Sequence, residues 1–370
     1  MAKIYYRLYQ TDRIGQLYDE SFCLRNLYPE DDIVLLIPKS NKRVNDYSLN
    51  ECFDGLKVYE TDELQFLNEA HRINYSEELR EFEDGYLYLK KPRYLTTKFR
   101  NNFRNQNALY YHKNLTINNN LIEIIQDDLN INLNDKIITI HIREKGYLSE
   151  LDYHSYRNME FRSLNKLIYY LIDCGFTIVR LGDPTMKDSN ISHEKFIDIT
   201  KTNYYNTFAE SFFISNSVLF IGTVSGPFSI AQTKNIPILA INQERPFTEW
   251  GSNLDFDLPR NYYSNVLKRN LTFSEIIIST LYDFYDSKQY VKNDILLIEN
   301  NVNEILASCK EMLDKISKKS TSYNNMEIIK YYETVYNTIQ KDKNTGLMQY
   351  KNIPKYFIDN NKSYFGHKIL

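Results

Sequence analysis

Residues Lys136-Ile137-Ile138-Thr139-Ile140-His141-Ile142-Arg143-Glu144 and Val218-Leu219-Phe220-Ile221-Gly222-Thr223-Val224-Ser225-Gly226-Pro227 decide the fold. Each is a β-rich apolar run that stops abruptly at charged or small polar residues. Continuous apolar runs of this length read as strands buried on both faces, the kind found in parallel sheets. Such strands deliver functional groups to the carboxyl edge, where open α/β sheets bind ligands. One run ends in a guanidinium beside a carboxylate. The other ends in a small-residue loop, with Pro227 suited to a first helical turn. Together they predict a site for an anionic ligand of the nucleotide-diphosphate kind.

Outward from these runs the second half continues as alternating strands and helices. Leu164, Leu167, Ile168, Leu171 and Ile172 repeat at helical spacing, and Gly175 suits the position after the helix. Strands are predicted over 176–181, 195–199 and 236–241, with a helix over 205–215. Short connections between them imply a doubly wound parallel domain. The first 60 residues read as β-α-β, with strands at 3–9 and 33–37 and a helix over 17–26. Residues 61–130 are expected to be mostly helical and polar. The prediction is two facing Rossmann-like α/β domains, 1–130 and 131–270, followed by a helical extension over 271–370. In the extension Ile295, Ile298, Val302, Ile305, Cys309, Met312 and Ile316 form a heptad-like seam. The simpler expectation is a helix packed on its own protein, with dimerisation the alternative.

The chain has 370 residues, long enough for two ordinary domains. Its net charge of −3 comes from 45 basic and 48 acidic residues, so no global field favours nucleic acid. Asn, Ile, Lys and Tyr tracts read as the codon usage of an AT-rich bacterial genome. Cys23, Cys52, Cys174 and Cys309 are scattered without a CxxC, as expected of reduced thiols in a cytoplasmic protein. No signal-peptide core and no run of about 18 apolar residues occurs, which predicts no membrane-spanning helix.

Arg143 can grip two phosphate oxygens at once and keeps its charge. His141, two residues earlier, shares its side of the strand. The alternative is an Arg–carboxylate pair beside a core histidine. Asp152-Tyr153-His154-Ser155-Tyr156-Arg157-Asn158 gathers polar groups before a helix start, where anions are favoured. Ser225, Gly226 and Pro227 open another helix, with glycine permitting close backbone approach. Arg180, Gly182 and Asp183 form a third edge loop, and Asp198 closes another strand. Each aspartate could accept a sugar hydroxyl or merely close a turn. Glu144 and Asp152 are the general-base candidates. The histidines lack metal-ligand spacing. Asp255-Phe256-Asp257 has the spelling of a metal motif, but lies in a polar region with no apolar strand before it. No metal or other cofactor is therefore expected. No phosphate-binding GxxxxGK[ST] or dinucleotide GxGxxG occurs, and no GxSxG either.

The strand-terminal His-x-Arg at Arg143, Tyr156-Arg157-Asn158, Arg180-Leu181-Gly182-Asp183 and Ile221 to Pro227 resemble bacterial surface-polysaccharide glycosyltransferases of GT-B type. These are distantly similar to the His-x-Arg fucosyltransferase group. Arg13-Ile14-Gly15-Gln16-Leu17 resembles that family's N-terminal glycine loop, with Gln16 where histidine is usual. The resemblance covers about residues 137–245 well and 1–40 faintly. It implies a metal-independent enzyme whose C-terminal half holds a nucleotide sugar. Arg143 would bind the diphosphate, and Ser225 with Gly226 would receive it on backbone amides. Arg13, Gly15 and Gln16 would form an acceptor or phosphate loop. The implied partners are a nucleotide sugar and a glycan or lipid-linked acceptor, with peripheral association at the inner membrane face and no nucleic acid. Tyr94, Phe99, Arg100, Phe103 and Arg104 are candidates for such a surface, or an ordinary solvated face. The rival readings are a sugar-nucleotide epimerase, a polysaccharide pyruvyltransferase and a non-catalytic glycan-binding assembly protein.

Overall fold

The computed structural model describes residues 1–8, 10, 12–39, 44–59, 77–103, 109–114, 119–145, 149–205, 207–245, 251–252, 254–319, 326–339 and 352–366. In the first α/β unit, strands β1 (Lys3–Arg7), β2 (Asp32–Pro38) and β3 (Gly55–Tyr59) run parallel. On the other side of β1 lie β5 (Gly85–Tyr88), also parallel, and the antiparallel β4 (Leu79–Phe82), giving the order β3-β2-β1-β5-β4. Helices α1 (Ile14–Leu27), α2 (Asp46–Cys52), α3 (Pro92–Phe103) and α4 (Asn119–Leu129) accompany this sheet. The β4–β5 hairpin is an addition to the expected helices of 61–130, which are α3 and α4; residues 61–76 lie outside the described residues. Glu83 takes a left-handed φ of 50° in its turn. A Cβ on Gly85 would come within 2.2 Å of the Lys3 carbonyl oxygen, so glycine is what lets β5 lie against β1. Phe99 is fully buried against Phe22, which removes it from any surface patch, whereas Tyr94 is 44% exposed. Arg104 and the side chains of Arg100 and Phe103 lie outside the described residues.

The second unit is an all-parallel, six-stranded sheet of order β11-β10-β9-β6-β7-β8. Its strands are β6 (Ile137–His141), β7 (Thr177–Arg180), β8 (Phe196–Asp198), β9 (Ser217–Gly222), β10 (Ile238–Gln243) and β11 (Phe256–Pro259). Helices α5 (Asn165–Asp173), α6 (Ala209–Ser215) and α7 (Gly226–Thr233) connect them. β11 is the strand the sequence did not disclose, and Asp257 lies within it. Asp255, just before it, is buried and accepts bonds from the amides of Ile238 (2.9 Å) and Ser252 (2.8 Å).

Alternation along these strands splits the interior into two layers. Ile138, Ile140, Ile178, Leu219, Ile221, Leu239 and Ile241 face one core; Ile137, Val179, Phe220, Ile238 and Ala240 face the other. The second layer merges with α1 and the first sheet, so the two Rossmann-like units face each other across a shared core. The first layer is covered by α5 and by the chain that follows β11.

That chain is not purely helical. β12 (Asn261–Ser264), β13 (Arg269–Asn270) and β14 (Ile295–Ile298) form an antiparallel sheet of order β13-β12-β14. Around it lie α8 (Phe273–Ile278), α9 (Ser287–Lys292), α10 (Val302–Ser317), α11 (Met326–Ile339), α12 (Lys355–Asn360) and α13 (Lys362–Phe365). Ile295 and Ile298 therefore belong to a strand, not to the predicted helical seam. The seam proper begins after Asn301, which caps α10 in a capping box with Glu304. Ile305, Cys309 and Met312 pack into the protein's own core, as the simpler expectation held.

The two units meet where α1 crosses α7. A Cβ on Gly226 would lie 2.4 Å from the Ile14 side chain, and one on Gly15 would lie 3.3 Å from the Gly226 Cα. Ser229 Oγ donates to Asp19 at 3.0 Å across this seam. Deeper in, Lys234 Nζ donates to Glu51 at 2.6 Å and to Asn114 at 2.9 Å. Glu51 also accepts from Ser211 Oγ (2.6 Å) and from the Tyr18 hydroxyl.

Candidate anion-binding site

From β6 the chain steps to β7 and β8 on one side; from β9 it steps to β10 and β11 on the other. The order thus reverses between β6 and β9, and open α/β sheets bind ligands in the crevice at such a reversal. Both decisive runs of sequence end there. Their ends are tied together: Thr223 N donates to the His141 carbonyl (3.2 Å), and Arg143 N donates to Thr223 Oγ1 (3.0 Å). A Cβ on Gly222 would come within 2.2 Å of the His141 carbonyl oxygen, so glycine permits this approach. Ser225 caps α7, accepting from Phe228 N at 3.4 Å, and Pro227 occupies the first turn. Because Gly226 packs on Ile14 and Gly15, the α1 start brings Arg13 and Gln16 towards the same edge.

The charge here is strongly positive. Arg143 is half-buried, and burial together with the positive charge of Arg157 and Arg13 holds its guanidinium below the usual arginine value. Burial also works against the Arg157 charge. Glu244, with Oε1 3.0 Å from Arg157 Nε, offsets this and leaves Arg157 above the usual value. Tyr156 lies beneath the Arg157 guanidinium (5.3 Å to the ring centre) and against Tyr290 (5.2 Å).

The histidines add no charge. Burial, then Arg180 and Arg143, pulls His141 down to about 3. Burial, then Arg157 and Arg143, pulls His154 down to about 4. Arg13 Nε, Gln16 Oε1, His141 Nδ1 and Asn158 Oδ1 are all buried without a hydrogen-bond partner among the described residues. Polar atoms so placed are suited to meet a ligand, and all four belong to residues the sequence singled out.

Other selected residues are not brought to the crevice. Arg180 is fully buried, with Nη2 on Glu144 at 2.7 Å, Nη1 on Asp198 at 2.8 Å and its guanidinium 4.1 Å from the Phe161 ring centre. Glu144 also accepts from Phe161 N (3.3 Å), and Asp198 from Thr200 N (3.1 Å). These three side chains hold the β6, β7 and β8 ends together, so Glu144 is not placed as a base, nor Arg180 and Asp198 as donor ligands. The chain has left the strand by Glu144, and its carboxylate turns inward.

Gly182 has a φ of 142°, and a Cβ there would meet Met186 Sδ at 2.2 Å. Asp183 is buried and accepts from Thr185 N at 2.9 Å, closing its own turn. Beside it burial, then Asp183 itself, pushes Glu210 up to about 7. Asp152 falls in the 3-10 segment Ser149–Arg157, with its side chain outside the described residues.

Sequence reading missed Glu244, Arg260 and Ser287. Only Glu244 carried a signal, since it is the first charged residue after β10 as Arg143 is after β6. Arg260 Nη1 donates to the Tyr156 carbonyl at 2.5 Å, and Nη2 to the Asn158 carbonyl at 3.4 Å.

Fold and crevice define a protein of two facing Rossmann-like domains with a cationic site at the switch point of the second, the GT-B arrangement. No family model and no curated protein matches the chain. Among solved structures it is similar to a glycosyl transferase family 9 protein from Veillonella parvula DSM 2008, at 13% identity over 85% of this chain and 97% of that one, TM-score 0.48. It is also similar to ADP-heptose LPS heptosyltransferase II of E. coli, at 12% identity over 65% and 84%, TM-score 0.40. A third is a putative UDP-N-acetylglucosamine 2-epimerase from Listeria monocytogenes, at 12% identity over 85% and 97%, TM-score 0.35. At these scores none of the likenesses bears on function, which is argued from the site.

Proposed function

We propose that this chain is a glycosyltransferase, taking a sugar from a nucleoside-diphosphate donor and placing it on a hydroxyl of a bacterial surface glycan. The observation that carries the reading is Arg143, tied through Thr223 to the loop that opens α7 and placed with Arg157 and Arg13 at the switch point. Guanidiniums of this kind neutralise phosphate oxygens bidentately, and helix amides add partial positive charge. In the proposed reaction the acceptor hydroxyl attacks the anomeric carbon from the face opposite the diphosphate. The carbon–oxygen bond to the diphosphate breaks, and a carboxylate takes the hydroxyl proton. Asp152 is the carboxylate proposed for that proton, because Glu144 is committed to Arg180. Arginines supply the charge that stabilises the leaving diphosphate, and so the reaction is proposed to be inverting and independent of metal. Among the described residues no helix is long and apolar enough to cross a membrane. A lipid-linked acceptor would therefore be met from the surface, at the inner membrane face.

Thermal shift with UDP-, GDP-, CMP- and dTDP-sugars tests this directly. Ligand at a hundred times its Kd stabilises by about 2.7 kcal/mol. The expected result is one nucleotide class that raises the Tm with and without EDTA. Arg143→Ala should fold and bind that ligand about 100-fold more weakly. Full transfer activity in Arg143→Ala, or no shift with any nucleotide sugar, would overturn the proposal. An altered sugar released without acceptor would favour an epimerase, and phosphoenolpyruvate consumption a pyruvyltransferase.

A further inference from the structure

The loop that carries His154, Tyr156, Arg157 and Asn158 has little regular structure of its own, being a 3-10 segment that ends at Arg157. One hydroxyl from outside the loop makes several of its bonds. Ser287 Oγ, in the first turn of α9, donates to the Tyr153 carbonyl at 3.0 Å. It accepts from Tyr156 N at 3.1 Å and lies 2.8 Å from Ser155 Oγ. A serine hydroxyl has one proton and two lone pairs. With its proton on Tyr153, Ser287 accepts from both Tyr156 and Ser155, and its bonding capacity is filled. Tyr153, Ser155 and Tyr156, three of four successive loop positions, thus answer to one atom that lies more than 130 residues away in the chain.

α9 is itself fixed. Asp286 caps it in a capping box with Gln289, and Tyr290 packs on Tyr156 at 5.2 Å and on Phe284 at 5.2 Å. Arg260 holds the next carbonyls of the loop, at Tyr156 and Asn158.

From this we infer that Ser287 is a positioning residue of the anion site: the chain after the second sheet does not merely cover that sheet but sets where Arg157 and Asn158 stand. Ser287 does not itself reach the crevice. The inference rests on the proposed nucleotide-diphosphate reading, because what it positions is the cationic half of that site. An alanine at 287 leaves the Tyr156 amide and the Tyr153 carbonyl without their partner, so the loop samples wider geometries. A binding site loosened in this way loses affinity through disorder, although no charge has been removed.

The test uses the full chain in three forms: wild type, Ser287→Ala and Ser287→Thr. Dissociation constants for UDP, GDP, ADP and CDP are measured by calorimetry, alongside hydrogen–deuterium exchange of the peptide spanning 153–158. Ser287→Ala is expected to bind the preferred diphosphate on the order of tenfold more weakly. Its exchange should quicken in that peptide alone. Ser287→Thr, which keeps the hydroxyl, should restore both readouts, whereas general destabilisation would spread exchange across the sheets and would not be rescued. Wild-type affinity in Ser287→Ala would overturn the inference, and so would failure of threonine to rescue. If the wild-type chain binds none of the four diphosphates, the functional reading falls. Exchange then decides the inference by itself, with an unchanged 153–158 peptide in Ser287→Ala overturning it.

Discussion

Glu51→Ala is expected to destabilise the folded chain by about 3–5 kcal/mol, the cost of leaving a buried charge without its partner. Glu51 sits on α2 of the first unit and Lys234 follows α7 of the second, and both are almost fully buried. Burial already pulls the Lys234 ammonium below the ordinary lysine value, with Glu51 the chief opposing influence. Removing the carboxylate also strands the Tyr18 hydroxyl and Ser211 Oγ, which donate to it. Lys234→Met should cost a similar amount by isolating the carboxylate. Replacing both, as Glu51→Leu with Lys234→Met, should recover much of the loss, since an apolar pair has no charge to desolvate. Urea midpoints of the four proteins make the comparison. A double variant no better than the worse single one would show that the ion pair is not what the single substitutions disturb.

Acid should unfold this protein earlier than its carboxylates alone would require. His112 and His141 are fully buried and held down at about 3, against an ordinary value of 6.5. For His112 the cause is burial first, then the positive charge of Arg25. A base whose value is depressed on folding contributes its full stability above the unfolded value, near pH 6.5, and loses it as pH falls towards 3. Between those limits the unfolded chain binds the proton and the folded chain does not. By pH 4.5 each ring therefore removes about 2–3 kcal/mol. Denaturant midpoints at pH 7.0 and 4.5 would measure this in the wild type and in His112→Gln with His141→Gln. The double variant is expected to flatten the acid limb. The same slope in both proteins would assign acid sensitivity elsewhere. At the site, a neutral His141 means that anion affinity between pH 6 and 8 should follow the arginines and not the imidazole.

The parts of the fold legible in sequence were those under the strongest constraint. β6 and β9 are buried on both faces, so nothing but apolar residues fits, and the run announces itself. β4 and β5 lie at the border of the first sheet, where Arg80, Glu81 and Glu83 are tolerated and the apolar signal is diluted. β14 was lost for another reason: Ile295 and Ile298 are three apart and, joined to Val302 and Ile305, mimic helical spacing across a strand, a turn and a cap.

At the site, Arg143, Ser225 and Gly226 were legible because strand ends and loop chemistry are local. The opposite fates of Arg143 and Glu144 were not. They are neighbours in sequence, yet one takes part in the crevice and the other is buried on Arg180, and that depends on where the backbone turns. Ser287 and Arg260 could not be found from spacing, since they act through contacts with residues about a hundred positions away.

The outer face of the second sheet is walled by the last part of the chain, including Ile353, Phe357, Tyr364 and Phe365. During synthesis this sheet therefore has all its strands long before it has a lid. At ordinary translation rates the interval from β11 to those aromatics lasts on the order of ten seconds. Throughout it, the layer of Ile138, Ile140, Leu219, Ile221, Leu239 and Ile241 is covered by α5 and the segment just after β11 but still lacks its last wall.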